Sequence, residues 1–404
     1  MTYGLLDGLK VIESSAFIAA PLCGLTLAQY GAEVIRIDPI GGGIDYNRMP
    51  RMPGGRSLYW TGLNKGKRSV AVDIRAPEGR ELVAALATAA QAGVLLTNIA
   101  VPWLAHEVLA ARRADMISCV IEGNPDGSTA VDYTVNCATG YPAMTGQPGG
   151  PPVNHALPAW DIACALQAST ALAAAMLRRQ ATGAGAALRI ALSDVAFATL
   201  SHLGVLAEAE LLERDRPAIG NDIYGAFGRD FVTADGRRVM VAAISGRQWQ
   251  ALVAACGIGP GIAALEAATG LDFADEEDRF RGRDLIGALV ALWFEGRGLA
   301  EVAEAFDRHG VCWGEYRTVR GLLAEDPRVS TANPLFEVIG TPGVGRHLAA
   351  GAVARIAGEA RRAQRPAPAL GADTDAVLAE LLGLPSGAIG ALHDRGIVAG
   401  PPAA

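Results

Sequence analysis

The first 120 residues alternate short apolar runs with helix-patterned ones, and this alternation leaves the chain very few folds to choose from. Leu9 to Glu13, Ala32 to Asp38, Ser69 to Ile74, Val94 to Thr97 and Met116 to Ile121 read as strands. Between them, Pro21 to Tyr30 and Pro77 to Ala90 carry helix patterns, the first with Pro in its opening turn and Gly31 as a left-handed stop. A parallel strand pair needs a crossover long enough to hold a helix, so strand, helix and strand in succession predict a parallel sheet covered by helices. The expected class is α/β.

The rhythm resumes with a helix from Asp161 to about Arg179, a strand at Leu188 to Leu192, and a helix from Asp194 that Ser193 is placed to cap. From Phe227 the character changes. Asp230 to Thr233 and Arg237 to Ala242 form a hairpin pattern turning at Ala234-Asp235-Gly236, followed by three amphipathic helix patterns up to His309. The stretch from Pro327 ends in two further helix patterns, Ala376 to Leu382 and Ser386 to Arg395. The layout predicts a large domain of residues 1–200 and 327–404, a smaller inserted α+β domain of residues 225–320, and linkers at 201–224 and 321–326. Half of the 404 residues are hydrophobic, enough for a large core, and only 6% are aromatic, which suits close packing of helices on a sheet.

Several functions are disfavoured. A net charge of −7 without any long charged run argues against nucleic acid or an anionic membrane as partner. The N-terminus lacks a signal-peptide order, and the longest apolar stretch, after Asp161, is broken by Gln167, Ser169 and Thr170; a soluble, cytoplasmic protein is expected. Six scattered cysteines and six dispersed histidines predict neither a disulfide framework nor a metal site. Asp38 ends the second strand where a ribose-binding acid would sit, but Ser14 to Ala20 lacks the glycines that let a backbone approach a pyrophosphate. No phosphate-binding GxxxxGK[ST] loop or GxSxG elbow is present.

Asp161 stands out. From Asn154 to Leu177 it is the only charged side chain apart from His155, and it sits where an apolar helix begins. Such a carboxylate is either a helix cap or a nucleophile that the positive helix end keeps ionised. The local sequence leaves both readings open.

Motifs spread along the chain favour the second. Leu6-Asp7-Gly8-Leu9-Lys10-Val11, Gly31-Ala32-Glu33-Val34-Ile35-Arg36, Asn64-Lys65-Gly66-Lys67-Arg68-Ser69-Val70 with Asp73, Asp161 with Arg179 to Gly183, Pro366 to Gly371 and Gly396-Ile397-Val398 together resemble the family III CoA-transferases of the CaiB/BaiF type. The resemblance covers essentially the whole chain. It implies a large Rossmann-like domain and a small domain in an interlocked homodimer, an acyl-CoA substrate, no cofactor beyond the CoA carried by that substrate, and Asp161 as nucleophile. It also implies CoA contacts at Phe17, Ile18, Lys67 and Asn98. Arg36 is a candidate phosphate partner, because a guanidinium binds phosphate through charge-assisted pairs, and His155 a candidate for a substrate carboxylate.

The chain departs from the family pattern at Ala372-Asp373-Thr374, where the family commonly has an acidic residue and His, and at Thr97-Asn98-Ile99, which lacks its aromatic CoA contact. Phe17 to Leu22, Asp38 to Gly43, Val153 to His155 and Tyr224 to Phe231 also differ from ordinary members. At these places the chain resembles an isomerase branch of the family, which implies movement of CoA between the two carboxyl ends of one branched dicarboxylate. An intermolecular transferase would use the same Asp161. An α-methylacyl-CoA racemase would need a His ahead of the Asp, and residues 107–154 contain none. A CoA-binding protein without turnover is the remaining class.

Overall fold

The five strands expected in the first 122 residues all form, within two residues of their predicted ends. The computed structural model describes residues 2–401. In chain order its first part holds β1 (Lys10–Ser14), α1 (Ala19–Gln29), β2 (Glu33–Pro39), α2 (Leu58–Leu63), β3 (Arg68–Val72), α3 (Pro77–Thr88), β4 (Val94–Thr97), α4 (His106–Ala110) and β5 (Ile117–Glu122). Then come α5 (Asp132–Ala138), α6 (Tyr141–Met144), α7 (Ala159–Thr182), β6 (Ala186–Ala191), α8 (Leu192–His202) and α9 (Val205–Leu212). The chain divides into two compact units. The first runs from the N-terminal end to Thr139 and takes in His155–Arg214 and the stretch from Pro327 onward; the second is Gly140–Asn154 with Asp215–Asp326.

In the first unit seven strands lie in the order β12-β3-β2-β1-β4-β5-β6, where β12 is Val398–Ala399. All neighbours are parallel except β12, which runs against β3. The strands pack helices on both faces, so they carry a continuous apolar core: Val11, Ile12, Val34, Ile35, Leu95 and Leu96 are fully buried. From β1 the chain winds outward through β2 and β3 on one side, then returns to β4 and continues to β6 on the other. The loops after β1 and β4 therefore diverge at a topological switch point, where open α/β sheets form their ligand crevice.

The 24-residue α7 is long and apolar enough to cross a membrane. In this fold that apolarity is core: Cys164, Ala165, Ala168 and Leu172 are fully buried, and the helix packs on α1, β5 and β6. It starts at Ala159, two residues before the expected Asp161. Ser193 does not cap α8, which begins at Leu192 and so contains it. The last segment returns to the sheet, where Ala71 N donates to Thr374 Oγ1 at 3.1 Å.

The second unit centres on the antiparallel strands β7 (Phe227–Val232), β8 (Arg238–Ala243) and β9 (Cys312–Glu315). Five helices lie between β8 and β9 rather than the expected three: α10 (Gly246–Cys256), α11 (Gly259–Thr269), α12 (Glu276–Arg281), α13 (Arg283–Phe294) and α14 (Leu299–His309). Its core is aromatic, with Phe231 stacked on Phe294 at 4.9 Å and Trp293 on Phe306 at 5.2 Å. The Gly140–Asn154 stretch joins this unit because Gly220 N donates to Gly146 O at 2.8 Å.

Candidate active site

Beneath the switch point lies a cluster of fully buried charges. Arg36 Nε donates to Asp38 Oδ1 at 2.8 Å, Nη1 to Glu13 Oε1 at 3.2 Å, and Nη2 to Ser15 O at 2.9 Å and Asp45 at 3.4 Å. Lys67 Nζ donates to Glu13 Oε1 at 2.9 Å, Pro21 O at 2.8 Å and Asn64 Oδ1 at 2.9 Å. Burial pushes the Lys67 ammonium down to about 8 against the pull of Glu13. The chain clears room for this cluster in α1, since a Cβ at Gly24 would overlap the Glu13 carboxylate.

This cluster contains two of the expected CoA contacts, Arg36 and Lys67. Both are at most 3% exposed, with their donors committed to protein acceptors. A strand-edge cation is exposed only if its side of the sheet is, and here that side is covered by α1 and the Asp45 loop.

The loop above the cluster is held in an unusual shape. Asn98 clamps it, accepting from Ala16 N at 2.9 Å and donating to Ala16 O at 2.7 Å, while Phe17 N donates to Asp45 Oδ2 at 3.0 Å. Phe17 is thereby kept in the left-handed region at φ 64°, a conformation that costs a non-glycine residue about 1–2 kcal/mol. Arg36 reaches this loop through Asp45, so the buried cations act on the site as scaffolding.

Phe17, Ile18 and Asn98 line a cavity of about 600 Å³ together with Arg48, Tyr59, Glu122, Asp132, Tyr133, Asp161 and Leu192. Its chemistry centres on the start of α7. The helix is capped from outside: Asp132 Oδ2 accepts from Trp160 N at 2.7 Å and from Asp161 N at 3.1 Å. With the cap supplied by Asp132, the Asp161 side chain is released from that duty. It has no hydrogen-bond or ion-pair partner among the described residues, and it faces the cavity. Burial, then the charge of Asp132, pushes its carboxyl up to about 7. Desolvation thus works against the ionised state that the helix end was expected to favour. A carboxylate so raised is a stronger base and nucleophile when ionised.

His155 does not line this cavity. Its Nε2 lies 2.6 Å from Asp132 Oδ1, so it contacts the capping residue. The sequence reading missed five cavity residues: Asp132, Tyr59, Tyr133, Arg48 and Glu122. Asp132 was the most legible, as an acid at the start of a short helical pattern. The exposed Arg48 guanidinium lies 5.5 Å from the Phe17 ring and 5.6 Å from the Tyr59 ring, which places a cation in the lining of the cavity. Glu122 is held by Arg189 at 2.6 and 3.0 Å. Arg189 lines an adjoining cavity of about 330 Å³ that shares the Thr97–Ile99 strand end with the first.

Comparison with known proteins agrees with this geometry. The sequence profile of CoA-transferase family III matches residues 6–374. The chain is 50% identical over 403 residues to a 2-methylfumaryl-CoA isomerase of Chloroflexus aurantiacus, with 98% of each chain covered. It is 27% identical over 405 residues to the succinyl-CoA–D-citramalate CoA-transferase of that organism, covering 97% of this chain and 98% of that protein. A crystal structure of a CAIB/BAIF family protein from Brucella suis superposes with a TM-score of 0.77 at 26% identity, over 94% of this chain and 100% of that one.

Proposed function

We propose that this chain, which belongs to CoA-transferase family III, interconverts 2-methylfumaryl-CoA and 3-methylfumaryl-CoA by moving CoA between the two carboxyl groups of one diacid. The observation that carries the reading is the unpartnered Asp161 carboxylate at a helix end capped by another residue, facing a cavity at the switch point of the sheet. Half identity over nearly the whole length to a 2-methylfumaryl-CoA isomerase supports the choice of substrate.

The Asp161 carboxylate attacks the thioester carbonyl. A C–O bond forms, the C–S bond breaks, and CoA thiolate leaves a mixed anhydride between the diacid and Asp161. The thiolate then attacks the Asp161 carbonyl, giving an aspartyl-CoA thioester and the free dicarboxylate. The other end of that diacid attacks the thioester to form a second anhydride, and thiolate attack on its substrate carbonyl restores Asp161 and delivers the isomer. Each step preserves an activated acyl group, so neither metal nor additional cofactor is required. Retention of the diacid makes the return intramolecular in effect, and well-oriented groups reach effective molarities of ~10⁵ M or more. Arg48 at the mouth supplies positive charge for the free carboxylate, and the loop of Phe17 and Ile18 supplies an apolar wall for the pantetheine arm.

The active form in this reading is an interlocked homodimer. A face of the first unit exposes Leu166, Phe197, Leu203, Leu206 and Leu211, from 41% to 77% accessible, and α9 has no buried residue at all within one chain. Contiguous apolar surface of this kind marks an interface.

The deciding experiment incubates the enzyme with 2-methylfumaryl-CoA and isotopically labelled free 2-methylfumarate. Product without label supports intramolecular transfer. Label entering the CoA ester as fast as the isomer forms would replace this reading with an intermolecular transferase. Hydroxylamine added during turnover should convert Asp161 to a hydroxamate, detected by peptide mass.

A further inference from the structure

The nucleophile's own backbone is tied to a second carboxylate, and that carboxylate is tied to a histidine. Asp132 Oδ2 accepts from the amides of Trp160 and Asp161, while Oδ1 faces His155 Nε2 at 2.6 Å. Trp160 is anchored again by its indole, whose Nε1 donates to Asn136 Oδ1 at 3.0 Å one turn further along α5. The first turn of α7 is thus fixed at three points to one short helix. Asp132 is only 2% exposed, so its position is set by these bonds rather than by solvent.

We propose that Asp132 and His155 are positioning residues that aim the Asp161 carboxylate and set its basicity, His155 acting only through Asp132. This rests on Asp161 being the nucleophile. Asp132 does two things at once. Its acceptors hold the Asp161 amide, which fixes the direction of the side chain. Its negative charge opposes a second negative charge on Asp161, and that opposition vanishes when Asp161 becomes an anhydride or thioester. The ionised ground state is raised relative to the uncharged covalent intermediate, which favours attack. His155 holds Asp132 in the rotamer that reaches both amides.

Other titratable groups face Asp161. Tyr59 from α2 and Tyr133 from α5 line the same cavity, as do Arg48 and Glu122, and Cys164 lies one turn along α7. Glu122 is neutralised by Arg189, and burial raises both Tyr59 and Cys164, leaving them uncharged at neutral pH. Asp132 is the carboxylate whose charge raises Asp161.

The test uses full-length protein labelled with [γ-¹³C]aspartate, with the Asp161 resonance assigned by its loss in Asp161→Asn. Asp132→Asn keeps an acceptor for the two amides and removes the charge. Its Asp161 titration midpoint is expected to fall by about one pH unit, with a parallel shift in the acid limb of kcat/KM and a kcat about tenfold lower at pH 8. His155→Gln keeps a donor to Asp132 and is expected to lower kcat several-fold, with no further loss when combined with Asp132→Asn. An unmoved Asp161 midpoint in Asp132→Asn, or a full His155→Gln effect in the double variant, would overturn the proposal. The resonance reports ionisation without turnover. If Asp161→Asn stays active, the nucleophile reading fails while the titration still judges the electrostatic coupling.

Discussion

Two groups of buried charge border the Phe17 loop of this protein and are treated in opposite ways. In the cluster beneath the Phe17 loop, Glu13, Arg36, Asp38, Asp45 and Lys67 neutralise and hydrogen-bond one another. In the cavity above, Asp161 is desolvated without any partner among the described residues, and the charge that acts on it is another carboxylate. The first arrangement stabilises a loop. The second leaves a reagent in a state that costs folding energy and is relieved by reaction. The same family motifs cover both, so motif membership does not say whether a charged residue touches substrate or supports what does.

The comparison predicts different failures in the two places. Asp161→Ala should abolish transfer, by more than about 10⁴-fold, while circular dichroism and Tm show a folded protein; an active variant would remove the covalent mechanism. Arg36→Met should instead cost about 3–5 kcal/mol in denaturant unfolding, because it leaves the buried Asp38 and Asp45 without a cationic partner. If Arg36 bound CoA directly, the variant would raise KM and leave stability nearly intact. The acid limb of the rate should have its midpoint near 7, the Asp161 value, with the rate falling about tenfold per pH unit below it as the nucleophile is protonated.

The smallest effect is on stability. Folding raises the Asp161 carboxyl from its ordinary 3.8 to about 7, so the folded state binds this proton more tightly than the unfolded one. The resulting penalty is absent below the unfolded value, accumulates up to about 7, and is full above it. Asp161→Asn should therefore be more stable than the parent by about 1–2 kcal/mol at pH 8, after allowance for partial solvent screening, and equal to it below pH ~4. An advantage that stayed constant with pH would mean that folding does not shift the Asp161 carboxyl, and one that reversed into a deficit as pH rises would mean that a partner stabilises the carboxylate; either would remove the contrast between the two charged regions.

Much of this was legible before folding. The parallel strands and their helices followed from apolar runs that end at Gly, Pro and Asn. The special place of Asp161 followed from its isolation in an apolar stretch. Less legible were β9, whose Cys-Trp-Gly-Glu run is too short to show a period, and the five helices between β8 and β9, where α11 and α12 are broken by glycines and a charge cluster. Asp132 escaped because it lies 29 positions before the residue it serves.

The sequence alone determined that the chain would make an α/β sheet, and that one carboxylate would begin a long apolar helix. Periodicity and isolation are local properties, and they survive in one dimension. Only the tertiary structure decided which charges face each other. It turned Arg36 and Lys67 inward to bind Glu13, gave the cap of α7 to Asp132, set His155 against Asp132, and left Asp161 without a partner among the described residues. Burial and Coulomb interactions depend on distances across the fold, and no spacing along the chain encodes them.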